Sequence, residues 1–271
     1  MGNLILAELY RVRHRWYGMA AMAGLILAGS ILFGASVWLP PQNGDASLLF
    51  QVLTQMSSVG MFFALGCAAE AGSGINRSGV LKNEAVFGIS RQRMYLSRLC
   101  VAVLAGVALV LLMLAAVLAT SLVIQPDPSG LLHQLTCYLP VLAASLPMWM
   151  ASAGLYLCLA AITRSDALAV VFCLLFDMVG WPVLGVAAMS SLQPGWTATL
   201  VRLLYLIHPM TPFWNGSITA FEVGGGVSVT MNPFVQSSGQ PMLSYCWALG
   251  LGWLAATSLA GAWGLKRREL R

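Results

Sequence analysis

Of the residue types that can do chemistry, the sequence sets one deep inside an apolar run and scatters the rest. Asp177 stands about eleven residues, or ~16 Å at 1.5 Å per residue, into the run from 167 to 190. An ionisable group near the centre of a bilayer costs at least ~2.5 kcal/mol by insertion scales unless it is paired or hydrated. Asp177 therefore reads either as a polar lining residue on a substrate path or as a hydrogen-bonded carboxyl that holds helices together. On the run from 48 to 70, Gln51, Gln55 and Ser58 form one stripe with Thr54 beside it. Amides and hydroxyls in that position suit the same path or bonds across a helix interface.

Catalysis would need a second group converging on the same depth, and none is found beside Asp177. His14, His133 and His208 fall in three unrelated segments, and there is no HExxH, so no metal ligands are assigned. The six cysteines are scattered without a CxxC pair and read as small apolar filler in helices. Cys137 and Cys246 both lie near the outer face, but the spacing gives no reason to expect a disulfide. GxSxG is absent, and no catalytic residue is assigned. GxxxxGK[ST] is absent too, so the chain holds no ATP through a P-loop of its own. Gly224-Gly225-Gly226 lacks a following Lys and reads as a turn.

The elements that carry these residues follow from composition. The 271 residues are 59% hydrophobic and 8% charged, with a mean hydropathy of +0.80. A soluble domain of that size could not hide so much apolar surface. Runs of about twenty apolar residues match the ~30 Å hydrocarbon layer. The sequence thus predicts an all-α membrane protein of six transmembrane helices, at about 17–39, 48–70, 96–124, 131–162, 167–190 and 242–265. Pro140 and Pro147 predict a kink or an interfacial first turn in the fourth, and Gly180 and Pro182 loosen the outer half of the fifth. The first run is too long for a signal h-region and is expected to stay. No soluble domain is expected, so residues 1–271 form a single transmembrane domain.

Residues 3–16 are too polar to span and predict an interfacial helix. Glu8, Arg11 and Arg15 lie on one face, Ile5, Leu6, Leu9 and Tyr10 on another, and Arg13 and Arg15 would face anionic lipid. Residues 192–241 form an outer region in which 198–207 is apolar enough to dip into the interface as a re-entrant helix. Thirteen of the fourteen Lys and Arg fall on one side of this layout, leaving Arg202 on the other. The positive-inside rule puts both termini in the cytoplasm. It also explains the net charge of +5 as topology rather than nucleic-acid binding, so no nucleic acid is expected as a partner.

The longest cationic stretch, 72–98, separates the second and third runs. Arg77, Lys82, Arg91, Arg93 and Arg98 are opposed there by Glu84. Val80-Leu81, Ala85-Val86-Phe87 and Ile89 alternate with polar residues at helical spacing, which predicts a short amphipathic helix on the cytoplasmic face. Gly79-Val80-Leu81-Lys82-Asn83-Glu84, then Gly88-Ile89-Ser90-Arg91, then Tyr95-Leu96-Ser97-Arg98 resemble the corresponding run of ABC type-2 transporter permeases. Arg98 stands where that family commonly has Lys. The order of parts resembles the family over the whole chain, but the residue match is confined to 79–98. Size and the N-terminal ILAELYRVRHRW pattern look most like the lantibiotic-immunity and peptide-export permeases.

The resemblance implies the membrane subunit of an ATP-driven exporter in a bacterial cytoplasmic membrane. A separate ABC ATPase subunit would bind ATP and Mg, and a second permease subunit would complete the unit. Val80, Leu81, Glu84, Phe87 and Arg91 would dock the ATPase through a coupling helix. The second and fifth spans would line the path, bringing in Gln51, Gln55, Ser58 and Asp177. The substrate would be an amphipathic bacteriocin- or lantibiotic-like peptide or a drug, and the acidic carboxyl and amide stripe would also suit a cationic one. A membrane-embedded enzyme and a non-transporting sensor or assembly subunit are the alternatives.

Overall fold

Inside a bilayer, peptide groups have no water to bond, so an apolar chain satisfies them within helices. The structure, a computed structural model, describes residues 2–14, 23–24, 27, 31, 47–73, 75–76, 86, 88–124, 128–190, 196–213 and 243–267. Every regular element among the described residues is helical. The order is α1 (Gly2–His14), α2 (Ser47–Gly72), α3 (Arg91–Ile124), α4 (Pro128–Thr163) and α5 (Asp166–Leu174). A π-helical turn, Leu175–Gly180, joins α5 to α6 (Trp181–Ser190); α7 (Trp196–Ile207), a 3₁₀ turn (Thr211–Phe213) and α8 (Leu243–Lys266) follow.

Four stretches are helical, long and apolar enough to cross a membrane: Arg91–Thr120, Tyr138–Thr163, Asp166–Ala188 and Leu243–Lys266. They correspond to the expected third, fourth, fifth and sixth spans. The expected second span is the 26-residue α2. Of the expected first, only residues 23, 24, 27 and 31 are described; all are helical, and Leu27 and Ile31 are exposed. Most of the amphipathic segment and residues 214–242 of the outer region lie outside the described residues.

α4 is the axis of the bundle. Its most apolar window is 67% buried, against 17% for the fifth helix and 22% for the last, and it packs on α2, α3, α5 and α8. Pro140 and Pro147 lie inside this helix, which runs through both without a break. Pro147 meets α8 so closely that a Cβ on Gly250 would sit 2.6 Å from the Pro147 backbone. Small residues at such a crossing let two backbones approach, which is how helices associate where lipid removes the hydrophobic drive.

At one end of the bundle α1, the close of α2, the openings of α3 and α5 and the close of α8 come together; we call this the α1 end. The tight turn into α5 has Arg164 at φ 58°, and Ser165 caps the helix by accepting from the Leu168 amide at 3.4 Å. Gly88, just ahead of α3, has φ 74°, a left-handed conformation that glycine adopts without steric cost.

Candidate functional site

Two sets of polar groups are placed by this frame, one at the α1 end and one halfway along the fifth helix. The first begins with α1. Its inward face is Ile5, Glu8 and Val12, while Leu6, Leu9 and Tyr10 are exposed. Of the expected polar face Glu8 turns into the protein, and of the expected apolar face Leu6, Leu9 and Tyr10 turn outward while Ile5 packs inward. The side chains of Arg13 and Arg15 lie outside the described residues.

What draws Glu8 inward is Arg98, two turns into α3 and 0% exposed. Its Nε donates to Glu8 Oε1 at 3.1 Å. Arg11 Nη2 lies 2.5 Å from Glu8 Oε2 and donates to the Ala71 carbonyl at 3.2 Å. A carboxylate, two guanidiniums and the end of α2 thus tie three elements together, with charges of both signs paired where isolated ones would be costly. Further ties surround them. Asn76 Nδ2 donates to Asp166 Oδ1 in the first turn of α5, and Arg91 Nη1 donates to the Lys266 carbonyl at 3.2 Å. Tyr95 OH donates to the Thr257 carbonyl at 3.3 Å.

The second set lies where the fifth helix changes pitch. Pro182 has no amide hydrogen, and in a regular α-helix its ring would press on the Met178 carbonyl. The backbone widens into a π turn just before it, a frequent device at functional sites. Asp177 sits in that turn, 1% exposed, and neither carboxylate oxygen has a hydrogen-bond partner among the described residues. Cys173 and Trp181, one turn to either side, are also buried.

The next residue back, Phe176, is held from outside. Its carbonyl accepts from His208 Nε2 at 3.1 Å, and its ring stacks on the His208 imidazole with centroids 4.3 Å apart. The Met210 amide donates to His208 Nδ1 at 3.2 Å, so the other nitrogen carries the proton given to Phe176. The end of α7 is pinned at the same level: Trp253 Nε1 donates to the Ile207 carbonyl at 2.7 Å, and Tyr245 OH donates to that of Leu206. α7 therefore ends against the middle of its neighbours rather than at their ends.

The expected site residues divide as follows. Asp177 is buried in the π turn. Ser58 is half-buried on α2; Gln51 and Gln55 are on the same helix, with side chains outside those described. The hydroxyl that visibly crosses between helices is Ser57, 2.5 Å from Tyr138 OH, while its carbonyl accepts from Trp149 Nε1 at 2.8 Å. Val80, Leu81, Glu84 and Phe87 lie outside the described residues. Between them Val86 is helical and 83% exposed. Arg91 is half-buried and bonded to α8 of its own chain. Cys246 is a free, buried thiol, and no cluster of His, Cys, Asp or Glu suited to a metal exists among the described residues.

Sequence reasoning missed Glu8, Asn76, Asp166 and His208. A signal existed for the first. Arg98 belongs both to the cationic stretch and to the start of the expected third span, so a counter-charge near that end was worth seeking; Glu8 is the lone acid before residue 45. In comparisons with known proteins, no family model and no curated protein matches the chain.

Proposed function

We propose that this chain is the membrane-spanning subunit of an ATP-driven ABC exporter, energised by a separate ATPase that binds ATP and Mg. The observation that carries this reading is the anchoring of the segment between α2 and α3. Asn76 ahead of it and Arg91 after it are each bonded to another helix of the bundle, and α1 is clamped across its base. A cationic amphipathic segment held by stiff supports on both flanks can pass a rigid-body push into the helices. A cationic loop resting on lipid needs no such supports.

In this reading the α1 end faces the bacterial cytoplasm, both termini are cytoplasmic, and 17–39 and α2 complete six spans. The Val80–Phe87 helix docks in a groove of the ATPase, with Leu81 and Phe87 as its apolar contacts. α7 is re-entrant, entering from the outer side and ending at mid-depth. A second permease subunit faces the second and fifth spans. Asp177, buried without a donor among the described residues, is a station for the positive group of an amphipathic peptide or drug, met when the spans part. An ion pair there would relieve the cost of its isolation.

The test is purification of the full chain from its native membrane together with assay of Mg-ATP hydrolysis. An ATPase should co-purify and its turnover should rise when the chain is present. Leu81→Asp or Phe87→Asp should abolish both while leaving the folded chain in the membrane. Assembly and turnover unaffected by either change would sink the docking assignment.

A further inference from the structure

Resting on the exporter reading, we infer that Asn76 and Asp166 are positioning residues that carry the movement of the docking segment into the fifth span, and so to Asp177. The segment is covalently joined to α2 and α3, so those helices must follow it. The fifth helix has no such link. α5 packs chiefly on α4, and its interface with α2 is small. Across that small interface the Asn76 amide reaches the Asp166 carboxylate directly. Asp166 is in the first turn of α5, so a displacement there enters the helix at its root.

The helix then transmits unevenly. α5 is regular up to Leu174, and the π turn begins at Leu175, two residues before Asp177. On the far side His208 holds the Phe176 carbonyl at 3.1 Å, tying that level to the α7 end. A root that can be moved, a stiff rod and a widened turn pinned from the other side focus motion on the π turn. Elements of this kind, with two possible arrangements, carry coupling between distant sites. The Glu8–Arg98 pair differs in role. It joins α1 to α3.

The experiment uses spin labels and needs no substrate. The full chain, its native cysteines replaced, carries one label at Met178→Cys on the fifth helix or at Leu104→Cys on α3. Both positions are exposed, at 61% and 56%, and lie at similar distances from the α1 end. Each labelled chain is purified with its co-purifying ATPase in lipid nanodiscs, and label mobility is read before and after trapping with ATP and vanadate. Both labels should respond in the otherwise unaltered chain. Asn76→Ala should leave the Leu104 response intact and reduce that at Met178 by roughly fivefold. Asn76→Asp should do the same by setting two carboxylates face to face. Asn76→Asp with Asp166→Asn, which exchanges donor and acceptor, should restore most of the response.

An undiminished response at Met178 in both single variants overturns the inference while leaving the exporter reading standing. The same holds if the exchange fails to restore it in a folded complex. No response at either label in the unaltered complex overturns the exporter reading, and this inference with it.

Discussion

Glu8 and Asp177 are both buried carboxylates, at 5% and 1% exposure, and they are buried in opposite company. Glu8 is met by two guanidiniums from two helices. Asp177 has no hydrogen-bond partner on either oxygen among the described residues. A paired carboxylate fixes elements relative to one another, because removing either charge strands the other. An unpaired one fixes nothing and is carried at a cost, which points to a partner that comes and goes. In the exporter reading the α1 end holds the bundle and the π turn receives the substrate. The bonds of Asn76 and Arg91 belong with the former, and His208 is the support of the latter.

The contrast breaks most sharply at Glu8. Glu8→Ala should lower stability by about 3–5 kcal/mol, the usual consequence of leaving a buried partner charge alone, as read from unfolding in mixed micelles. Glu8→Leu together with Arg98→Met should recover most of that loss, since an apolar pair of similar volume is often neutral. If Glu8→Ala alone is harmless, the clamp at the α1 end is not structural.

Asp177→Asn should act in the other direction. It removes an acid that costs at least ~2.5 kcal/mol in a bilayer, so the chain should fold as well as before or better, while export in cells falls. Loss of folded protein would place Asp177 with Glu8 and erase the distinction. His208→Ala should be milder, about 1–3 kcal/mol for the hydrogen-bonding groups it leaves unsatisfied at Phe176 and Met210. Its effect on export should exceed its effect on ATPase assembly. Smallest of all, Tyr138→Phe removes a bond to Ser57 between α2 and α4 and should cost about 0.6 kcal/mol, the average for polar contacts between membrane helices. A larger loss would mean that this pair carries more of the α2–α4 interface than an ordinary polar contact does.

Much of the fold was legible because lipid imposes a single rule on long apolar runs. The third to sixth expected spans match described helices to within a few residues, apart from α3, which begins five residues early. That early start has a cause. Arg91 and Arg93 prolong the helix beyond its apolar part, where a bonded Arg91 and an exposed Arg93 are both tolerable. The π turn was half legible. Gly180 and Pro182 signalled loosening, but periodicity cannot say whether a helix kinks or widens. Asp177 was found because depth alone marks it. Glu8 was grouped with Arg11, which it does pair with, but its burial was not seen, since hydropathy knows nothing of a buried arginine 90 residues away. Asn76, Asp166 and His208 were invisible for a related reason: each is ordinary in its own segment, and only packing gives it a partner.

The exporter account stands most directly on the segment between α2 and α3. The decisive measurement is Mg-ATP hydrolysis in material purified with the full chain from its native membrane, compared between the unaltered chain and Leu81→Asp. The account predicts an ATPase that co-purifies with the unaltered chain and is lost, with its turnover, from a folded Leu81→Asp chain. Equal ATPase content and turnover in both preparations, or none in either, would contradict it.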